Sequence, residues 1–331
     1  MKKAKICDLL GIEYPIIQAP MTWITSAEMV AAVSEAGGLG TLGPNAGAKT
    51  VTTSITENGE RLRQQIKKVK SLTRKPFAVN LIIALPDYPK QGMEFSEECL
   101  RVIIEEKAPV VITVGGDAEV FTGRLKREGI KVLHRAVPIN VGVAKASEKA
   151  GVDVIVAVGC DGGGHSGIDQ IPTFSLIPQI VDAVKIPVIA GGGISDGRGL
   201  AAALAVGAEG AYLGTRFIAS KECPAHSEAK QALIDATDIG TVTITGVFGI
   251  LRSQRNALME RCLDMAAMGA TPLDVATIYG GGFKTGLLDG DLIDGNLSWG
   301  AVVGMIKDIK SASDIIQDIL KEADQALQRL C

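Results

Sequence analysis

The first two thirds of the chain repeat one unit: a short run rich in valine and isoleucine, a glycine or polar break, and a longer segment with helical periodicity. Strands that are buried on both faces of a parallel sheet have continuous apolar runs of this kind. The repeat predicts eight strands, at 15–19, 38–42, 77–83, 110–114, 131–137, 154–158, 187–190 and 210–213. Helical segments lie between them, and the spacing of Thr25 and Glu28 predicts a capping box that opens the helix at 27–36.

Eight strands with helical crossovers either close into a barrel or form an open, doubly wound sheet. All eight follow one another in a single run, which favours the barrel. The block after residue 217 is too long for one loop. We therefore predict an α/β fold, a TIM (β/α)8 barrel at 1–217 with an additional mainly helical C-terminal cap region. The cap or insertion is expected at 218–300, and C-terminal helices packing on the barrel at 301–331.

The charge and cysteine patterns exclude several classes of protein. Lys and Arg total 34 against 37 Asp and Glu, well interspersed for a net charge of −3, so nucleic acid is not an expected partner. The six cysteines have no metal-ligand spacing, which predicts no metal site and a reduced, cytoplasmic protein. No apolar run reaches 18 residues, so no membrane span is expected. A homodimer is compatible with the sequence.

Two glycine-rich segments follow the seventh and eighth predicted strands, where TIM barrels commonly hold phosphate groups. They are Gly191-Gly192-Gly193, leading to a predicted helix start at Asp196 or Gly197, and Gly214-Thr215-Arg216. Small residues let backbone N–H groups approach an anion, and a helix N-terminus adds positive charge. These loops predict a site for a phosphorylated ligand.

His165 stands at the end of an Asp161-Gly162-Gly163-Gly164 lead after the sixth predicted strand, where its side chain can point into the barrel mouth. Histidine is suited to accept a proton near neutral pH, so His165 is the candidate catalytic residue. Arg135, at the end of the fifth strand, is a candidate phosphate partner because its guanidinium is always charged. His226 is expected to be structural.

Several segments resemble the nitronate monooxygenase family, formerly called 2-nitropropane dioxygenases. They occur in family order, and the resemblance covers most of residues 10–230. The segments are Pro15-Ile16-Ile17-Gln18-Ala19-Pro20-Met21, Ala36-Gly37-Gly38-Leu39-Gly40, Lys75-Pro76-Phe77-Ala78-Val79-Asn80, residues 159–167, residues 186–197 and Leu213-Gly214-Thr215-Arg216-Phe217.

The resemblance implies a barrel that binds FMN non-covalently, uses O2, and has His165 as the base that acts on nitroalkane substrates. It places the flavin phosphate at Gly192, Gly193, Gly214 and Thr215, and the flavin ring near Ala19, Pro20, Met21 and Asn80. Arg135 stands where some relatives carry a basic residue near the flavin phosphate. The expected cofactor-binding set also contains Asp161, Gly163, Gly164 and Gly191.

The chain departs from the family pattern in two places. Relatives commonly have Glu-Ala-Gly-Gly-His where this chain has Asp161-Gly162-Gly163-Gly164-His165, and the block after residue 230 is more similar to a quinone-reducing subgroup. Flavin-dependent enoyl-acyl-carrier-protein reductases share most of these barrel motifs with the family. The expected activity is oxidation of alkyl nitronates by O2. The alternatives are NAD(P)H-dependent reduction of an enoyl thioester or a quinone, or a flavin-free isomerase or binding protein for a phosphorylated ligand.

Overall fold

The computed structural model describes residues 4–84 and 90–329, and strands and helices are numbered here in chain order. A parallel sheet of eight strands forms the centre of the molecule. Its strands are β1 (Ile16–Gln18), β2 (Gly40–Leu42), β3 (Phe77–Ile82), β4 (Val110–Val114), β5 (Lys131–Arg135), β6 (Val154–Val158), β8 (Val188–Gly191) and β9 (Gly210–Leu213). A second sheet contains β7 (Gly164–Ser166), β10 (Thr241–Gly246) and β11 (Gly249–Gln254).

Helices surround the parallel sheet and continue into the C-terminal part of the chain. The first eight are α1 (Lys5–Leu10), α2 (Ala27–Glu35), α3 (Ile55–Leu72), α4 (Lys90–Glu105), α5 (Glu119–Arg127), α6 (Val141–Lys149), α7 (Thr173–Ala183) and α8 (Gly197–Ala205). They are followed by α9 (Thr215–Ile218), α10 (Ser227–Asp235), α11 (Ala257–Ala267), α12 (Pro272–Tyr279) and α13 (Ala312–Gln328). A π-helical turn covers Lys284–Leu288, and a 3-10 turn covers Ala301–Met305.

The eight parallel strands close into a barrel. They run in the order β1-β9-β8-β6-β5-β4-β3-β2, and Ile17 bridges Leu39 at the open end of this series. The Gln18 N–H donates to the Leu39 carbonyl at 2.9 Å, which joins β1 to the segment leading into β2. The predicted TIM barrel and its eight strands are confirmed, with ends that differ by up to two residues.

Side chains alternate along each strand between the barrel interior and the helix layer. The interior is an apolar cluster in which seven strands each contribute one or two residues: Ile17, Ala78, Val110, Ile112, Leu133, Val154, Val156, Ile189 and Tyr212. A larger cluster fills the space between the barrel and its helices. Because all eight strands are parallel, their carboxyl ends meet at one face, which is the barrel mouth.

The start of α2 differs from the predicted capping box. Ser26, not Thr25, is the N-cap, and its hydroxyl accepts a hydrogen bond from the Met29 N–H at 3.2 Å. Thr25 is fully buried; its hydroxyl donates to the Met21 carbonyl at 3.2 Å and accepts from the Gly43 N–H at 2.9 Å. Thr25 therefore joins the loops after β1 and β2.

The region after β9 contains a β-hairpin that the sequence analysis did not predict. Strands β10 and β11 pair along six residues, and β11 pairs in turn with β7, which lies in the loop after β6. In β10, Val242 and Ile244 are buried and pack against α11 and α12, while Thr245 is exposed. The hairpin thus connects the cap to the barrel mouth.

Glycines 280–282 end α12. Gly281 has φ +76°, a left-handed conformation that favours glycine, and a Cβ on Gly282 would lie only 3.1 Å from the Cβ of Asn296. This cluster therefore serves a tight turn against the Asn296 segment.

The C-terminal helix α13 packs against α8 and α2. Within residues 4–84 and 90–329, no helix combines the length and apolar character needed to cross a lipid bilayer. The same residues contain no group of three or more His, Cys, Asp or Glu arranged to hold a metal ion.

Candidate active site

Asn80 and Arg135 are the polar side chains that the alternation of β3 and β5 places at the barrel mouth. Each lies two residues beyond an interior residue, Ala78 and Leu133 respectively, and so faces the same side of its strand. The Asn80 amide donates to the Ile112 carbonyl of the neighbouring strand at 2.9 Å. These two side chains therefore lie on the mouth side of the apolar barrel interior.

The loop after β8 has a backbone shape that requires glycine. Gly192 has φ +83° and Gly193 has φ +70°. A Cβ on Gly192 would lie 2.9 Å from the Gly159 carbonyl oxygen, and one on Gly193 would lie 3.2 Å from the Asp161 Cβ. The Thr173 hydroxyl lies 3.2 Å from the Gly191 carbonyl oxygen and 3.0 Å from that of Gly192, with donor geometry toward both. The loops after β6 and β8 are therefore packed together.

The predicted helix start at Asp196 and Gly197 is correct, but its N–H groups are already paired with carboxylates. The Asp196 side chain caps α8 by accepting from the Gly199 N–H at 3.0 Å, and Glu322 of α13 accepts from the Gly197 N–H at 2.9 Å. A cap of this kind stabilises a helix by about 1 kcal/mol. The N–H groups of Gly197 and Gly199 at the positive end of α8 are thus paired with the protein's own carboxylates.

Asp161 has a positioning role in the loop after β6. Its carboxylate accepts from the Thr173 N–H, the first residue of α7, at 2.7 Å, and its carbonyl accepts from the Ala301 N–H at 2.9 Å. The Gly300 N–H in turn donates to the Thr215 hydroxyl at 2.9 Å. Residues 299–301, which we call the strap, therefore connect the loops after β6 and β9.

Two glycines predicted at the cofactor site differ in what a side chain at their position would contact. A Cβ on Gly163 would collide with the backbone of Trp299, so this glycine admits the strap. Gly214 has φ −103°, and its Cβ would meet only the Ala19 Cβ at 3.7 Å and the Met21 Sδ at 4.0 Å, both ordinary contacts. Within the part of the chain that the structure describes, no atom therefore requires glycine at position 214, and this position borders Ala19 and Met21, with Pro20 half-buried between them.

His165 lies in β7, opposite Leu251 of the cap hairpin. An Arg135 Nη2 donates to the His165 carbonyl oxygen at 2.6 Å, which joins β7 to the end of β5. The neighbouring Gly164 has φ +74° with open space around it and pairs with Arg252. The structure thus brings the predicted base and the predicted basic residue together.

The imidazole of His165 is enclosed by two aromatic rings. The Phe248 ring packs edge-on at 5.5 Å between centroids and 86° between planes, and the Phe283 ring lies at 6.1 Å and 56°. The Nε2 atom is buried and has no hydrogen-bond partner. Burial, together with the nearby Arg135 cation, lowers the pKa of His165 to about 4, so the ring is neutral at neutral pH and able to accept a proton.

Arg135 is a half-buried cation without a counter-ion. Among residues 4–84 and 90–329, no carboxylate lies within ion-pair distance of its guanidinium. Burial lowers the pKa of Arg135, while the nearby Tyr212 acts in the opposite direction. Leaving a cation desolvated without an anion costs free energy, so this arrangement is suited to an anionic ligand.

The other histidines lie outside the mouth. His134 is on the opposite side of β5 from Arg135, 1% exposed, with Nδ1 2.8 Å from the Thr113 hydroxyl. His226 caps α10, where its Nδ1 accepts from the Glu228 N–H at 3.2 Å.

Phe248, Phe283 and Arg252 were not predicted as site residues. Arg252 Nε donates to the Cys160 carbonyl at 3.2 Å and so fastens the hairpin to the loop after β6. The missed signal was the alternating Thr-Val-Thr-Ile-Thr run followed by Gly246-Val247-Phe248-Gly249, because a short break that contains glycine after an alternating run indicates a hairpin.

Comparisons with known proteins agree with this geometry. A structure titled FabK from Thermotoga maritima superposes with a TM-score of 0.88 at 35% identity, covering 100% of this chain and 99% of that one. Nitroalkane oxidase from Streptomyces ansochromogenes gives a TM-score of 0.81 at 28% identity, covering 98% and 99%. An enoyl reductase domain of MlnA from Bacillus amyloliquefaciens, 15% identical with a TM-score of 0.72, shares the fold.

The sequence comparisons are equally extensive. A Staphylococcus aureus (strain MSSA476) protein named "Probable nitronate monooxygenase" is 36% identical, with 78% of this chain and 80% of the relative covered. The family model described as nitronate monooxygenase matches residues 3–322. The chain, with its closed barrel and its histidine at the mouth, therefore belongs to the nitronate monooxygenase family of oxidoreductases.

Proposed function

We propose that this protein is an FMN-dependent nitronate monooxygenase that oxidises alkyl nitronates with O2. The observation that carries the proposal is a buried His165 Nε2 without a hydrogen-bond partner, on a residue whose backbone carbonyl accepts from an Arg135 guanidinium that has no carboxylate within ion-pair distance among residues 4–84 and 90–329. A neutral base beside a fixed positive charge is suited to a substrate that loses a proton and becomes an anion.

The residues at the mouth fit FMN. At Gly214 a Cβ would fill space that, among the described residues, is bordered only by ordinary contacts with Ala19 and Met21. Gly192 and Gly193 shape a loop from which backbone N–H groups can approach a phosphate. Thr215 contributes a hydroxyl beside the same loop. The flavin ring is proposed near Ala19, Pro20, Met21 and Asn80, and Arg135 would complement the negative charge of the bound flavin.

When bound, FMN supplies the two-electron acceptor and the site of reaction with O2. His165 has two functions. With a neutral nitroalkane, its Nε2 accepts the proton from the carbon next to the nitro group, which leaves the nitronate; with a preformed nitronate, the imidazole orients the substrate. The rings of Phe248 and Phe283 exclude water from this nitrogen, so it remains unprotonated until a substrate arrives.

A second candidate is an NAD(P)H-dependent reductase that acts on an enoyl thioester or a quinone. The specific observation in its favour is the match to FabK, which extends over 100% of this chain and includes the cap. A third candidate of a different class, a flavin-free barrel for a phosphorylated ligand, would use the same loops around Gly192 and Gly214 without any flavin.

An anaerobic flavin-reduction assay separates these functions. The purified protein, loaded with FMN and freed of excess, is mixed with ethyl nitronate, nitroethane, NADH or NADPH, and loss of the yellow absorbance is followed. Bleaching by the nitronate, with slow or no bleaching by either nicotinamide, is the expected result. Rapid bleaching by NADH or NADPH alone supports the reductase, and a protein that retains no flavin overturns both flavin-dependent proposals.

A further inference from the structure

The cap hairpin is fastened to the strand that carries the proposed base. Three residue pairs join β11 to β7, with Leu251 opposite His165. At the base of the hairpin, Arg252 Nε donates to the Cys160 carbonyl and its Nη1 to the Thr241 hydroxyl at 3.0 Å. These contacts between the hairpin, β7 and the loop after β6 therefore fix the position of the hairpin tip relative to His165.

The tip is a two-residue turn, Val247-Phe248, between the paired glycines Gly246 and Gly249. Gly249 has φ +96°, and a Cβ there would collide with the Ser166 carbonyl, so the turn lies directly on β7. Of the two turn residues, Val247 is 43% exposed whereas Phe248 contacts the His165 ring at 5.5 Å. The two neighbours on this turn thus face different surroundings.

Phe248 and Phe283 enclose the imidazole from two sides and differ in their support. Phe283 belongs to the segment between α12 and the π-helical turn and packs against the buried residues of the cap and barrel. Phe248 lies half-buried in the two-residue turn at the hairpin tip, beside exposed Val247. Phe248 is therefore the one of the two rings that a surface turn presents to the imidazole.

From this placement we propose that Phe248 is the specificity-determining residue for chain length: its ring packs edge-on against the His165 imidazole and occupies volume that a longer alkyl chain on the reacting carbon would need. The proposal rests on the proposed function, in which that carbon gives its proton to His165. The natural substrates are accordingly short-chain alkyl nitronates and nitroalkanes, and a smaller residue at position 248 admits longer ones.

The test measures kcat/KM for straight-chain nitroalkanes from nitroethane to nitrohexane with FMN-loaded wild type and the Phe248→Ala, Phe248→Leu and Val247→Ala variants. Burial of each added methylene is worth about fourfold in binding. In Phe248→Ala, kcat/KM relative to nitroethane should rise about fourfold for each methylene that enters the new space, and Phe248→Leu should show a smaller rise in the same direction. Val247→Ala, the matched control in the same turn, should keep the wild-type chain-length profile.

A binding measurement keeps this proposal distinct from the proposed function. Straight-chain carboxylates from acetate to hexanoate have the planar anionic O–C–O group that resembles a nitronate, and their affinity for the holoenzyme is measured by titration calorimetry. A gain for long chains in Phe248→Ala supports the pocket even if no nitronate is oxidised. Identical chain-length profiles in Phe248→Ala, Val247→Ala and wild type, in kinetics and in binding, overturn the proposal.

Discussion

Replacing Gly214 by alanine tests whether a ligand, and not the protein, requires glycine at this position. The backbone at Gly214 has φ −103°, which alanine adopts without strain, and the new Cβ would lie in ordinary contact with Ala19 and Met21 at 3.7 and 4.0 Å. We therefore expect the flavin-free variant to unfold at the same urea concentration as the wild type.

The effect on FMN should be large. The added methyl occupies space at the loop from which backbone N–H groups would reach the flavin phosphate. Loss of one hydrogen bond to a charged group costs about 1.5–3 kcal/mol, which raises the dissociation constant of FMN by about 10- to 150-fold. Quenching of flavin fluorescence during titration of the apo-protein measures this constant directly.

Gly192→Ala is the matched control. Here φ is +83°, and the Cβ would lie 2.9 Å from the Gly159 carbonyl oxygen and 3.0 Å from the Gly162 nitrogen. This variant should lose about 2 kcal/mol of unfolding free energy in the apo form, because a left-handed backbone is strained with any side chain and the contacts add to the cost. The reasoning is refuted if Gly214→Ala binds FMN as tightly as wild type, or if it is destabilised as much as Gly192→Ala.

Three further predictions concern the histidines. Replacing His165 by asparagine should lower kcat for a neutral nitroalkane at least about 10²-fold in steady-state assays, with a much smaller loss for preformed nitronate. Wild-type activity on the neutral nitroalkane should fall as pH drops toward about 4, where His165 gains a proton. Arg135→Gln removes a positive neighbour and raises the pKa of His165, so this loss of activity should occur at a higher pH than in the wild type. Buried His134 has a pKa of about 4, so as pH falls the unfolded state binds the proton first. The contribution of His134 to the free energy of unfolding should therefore fall by up to about 3 kcal/mol between pH 6.5 and pH 4. Urea titrations of His134→Asn should not show this loss.

The barrel was predictable because each of its strands is buried on both faces. Val110–Val114 and Val154–Val158 are continuous apolar runs, and their bounds were predicted correctly. The hairpin β10–β11 was harder to predict because one of its faces packs on α11 and α12 while the other mixes threonines and Arg252 with buried Ile250. Its partner strand β7 also lies 75 residues or more away in the chain. Local periodicity contains no information about that pairing.

The residues of the proposed site that lie at the ends of barrel strands were predictable from the sequence. Gly192, Gly193 and Arg135 all follow or end barrel strands, so their location at the mouth follows from the fold. The enclosure of His165 by Phe248 and Phe283 depends on how the cap folds back onto the barrel mouth, and the hairpin pattern around Phe248 does not indicate which strand the hairpin meets. The capping of α8 by Glu322, which lies 125 residues further along the chain, was likewise beyond local sequence patterns.

The strap has a consequence for the order of events during synthesis of the protein. The last barrel strand ends at Leu213, yet the Thr215 hydroxyl and the Asp161 carbonyl receive their hydrogen bonds from Gly300 and Ala301. Domains fold during translation as their residues emerge. On the ribosome, the barrel strands are therefore available well before the strap, and a nascent chain has to extend past residue 301 before the loops that we propose to hold FMN reach their final arrangement.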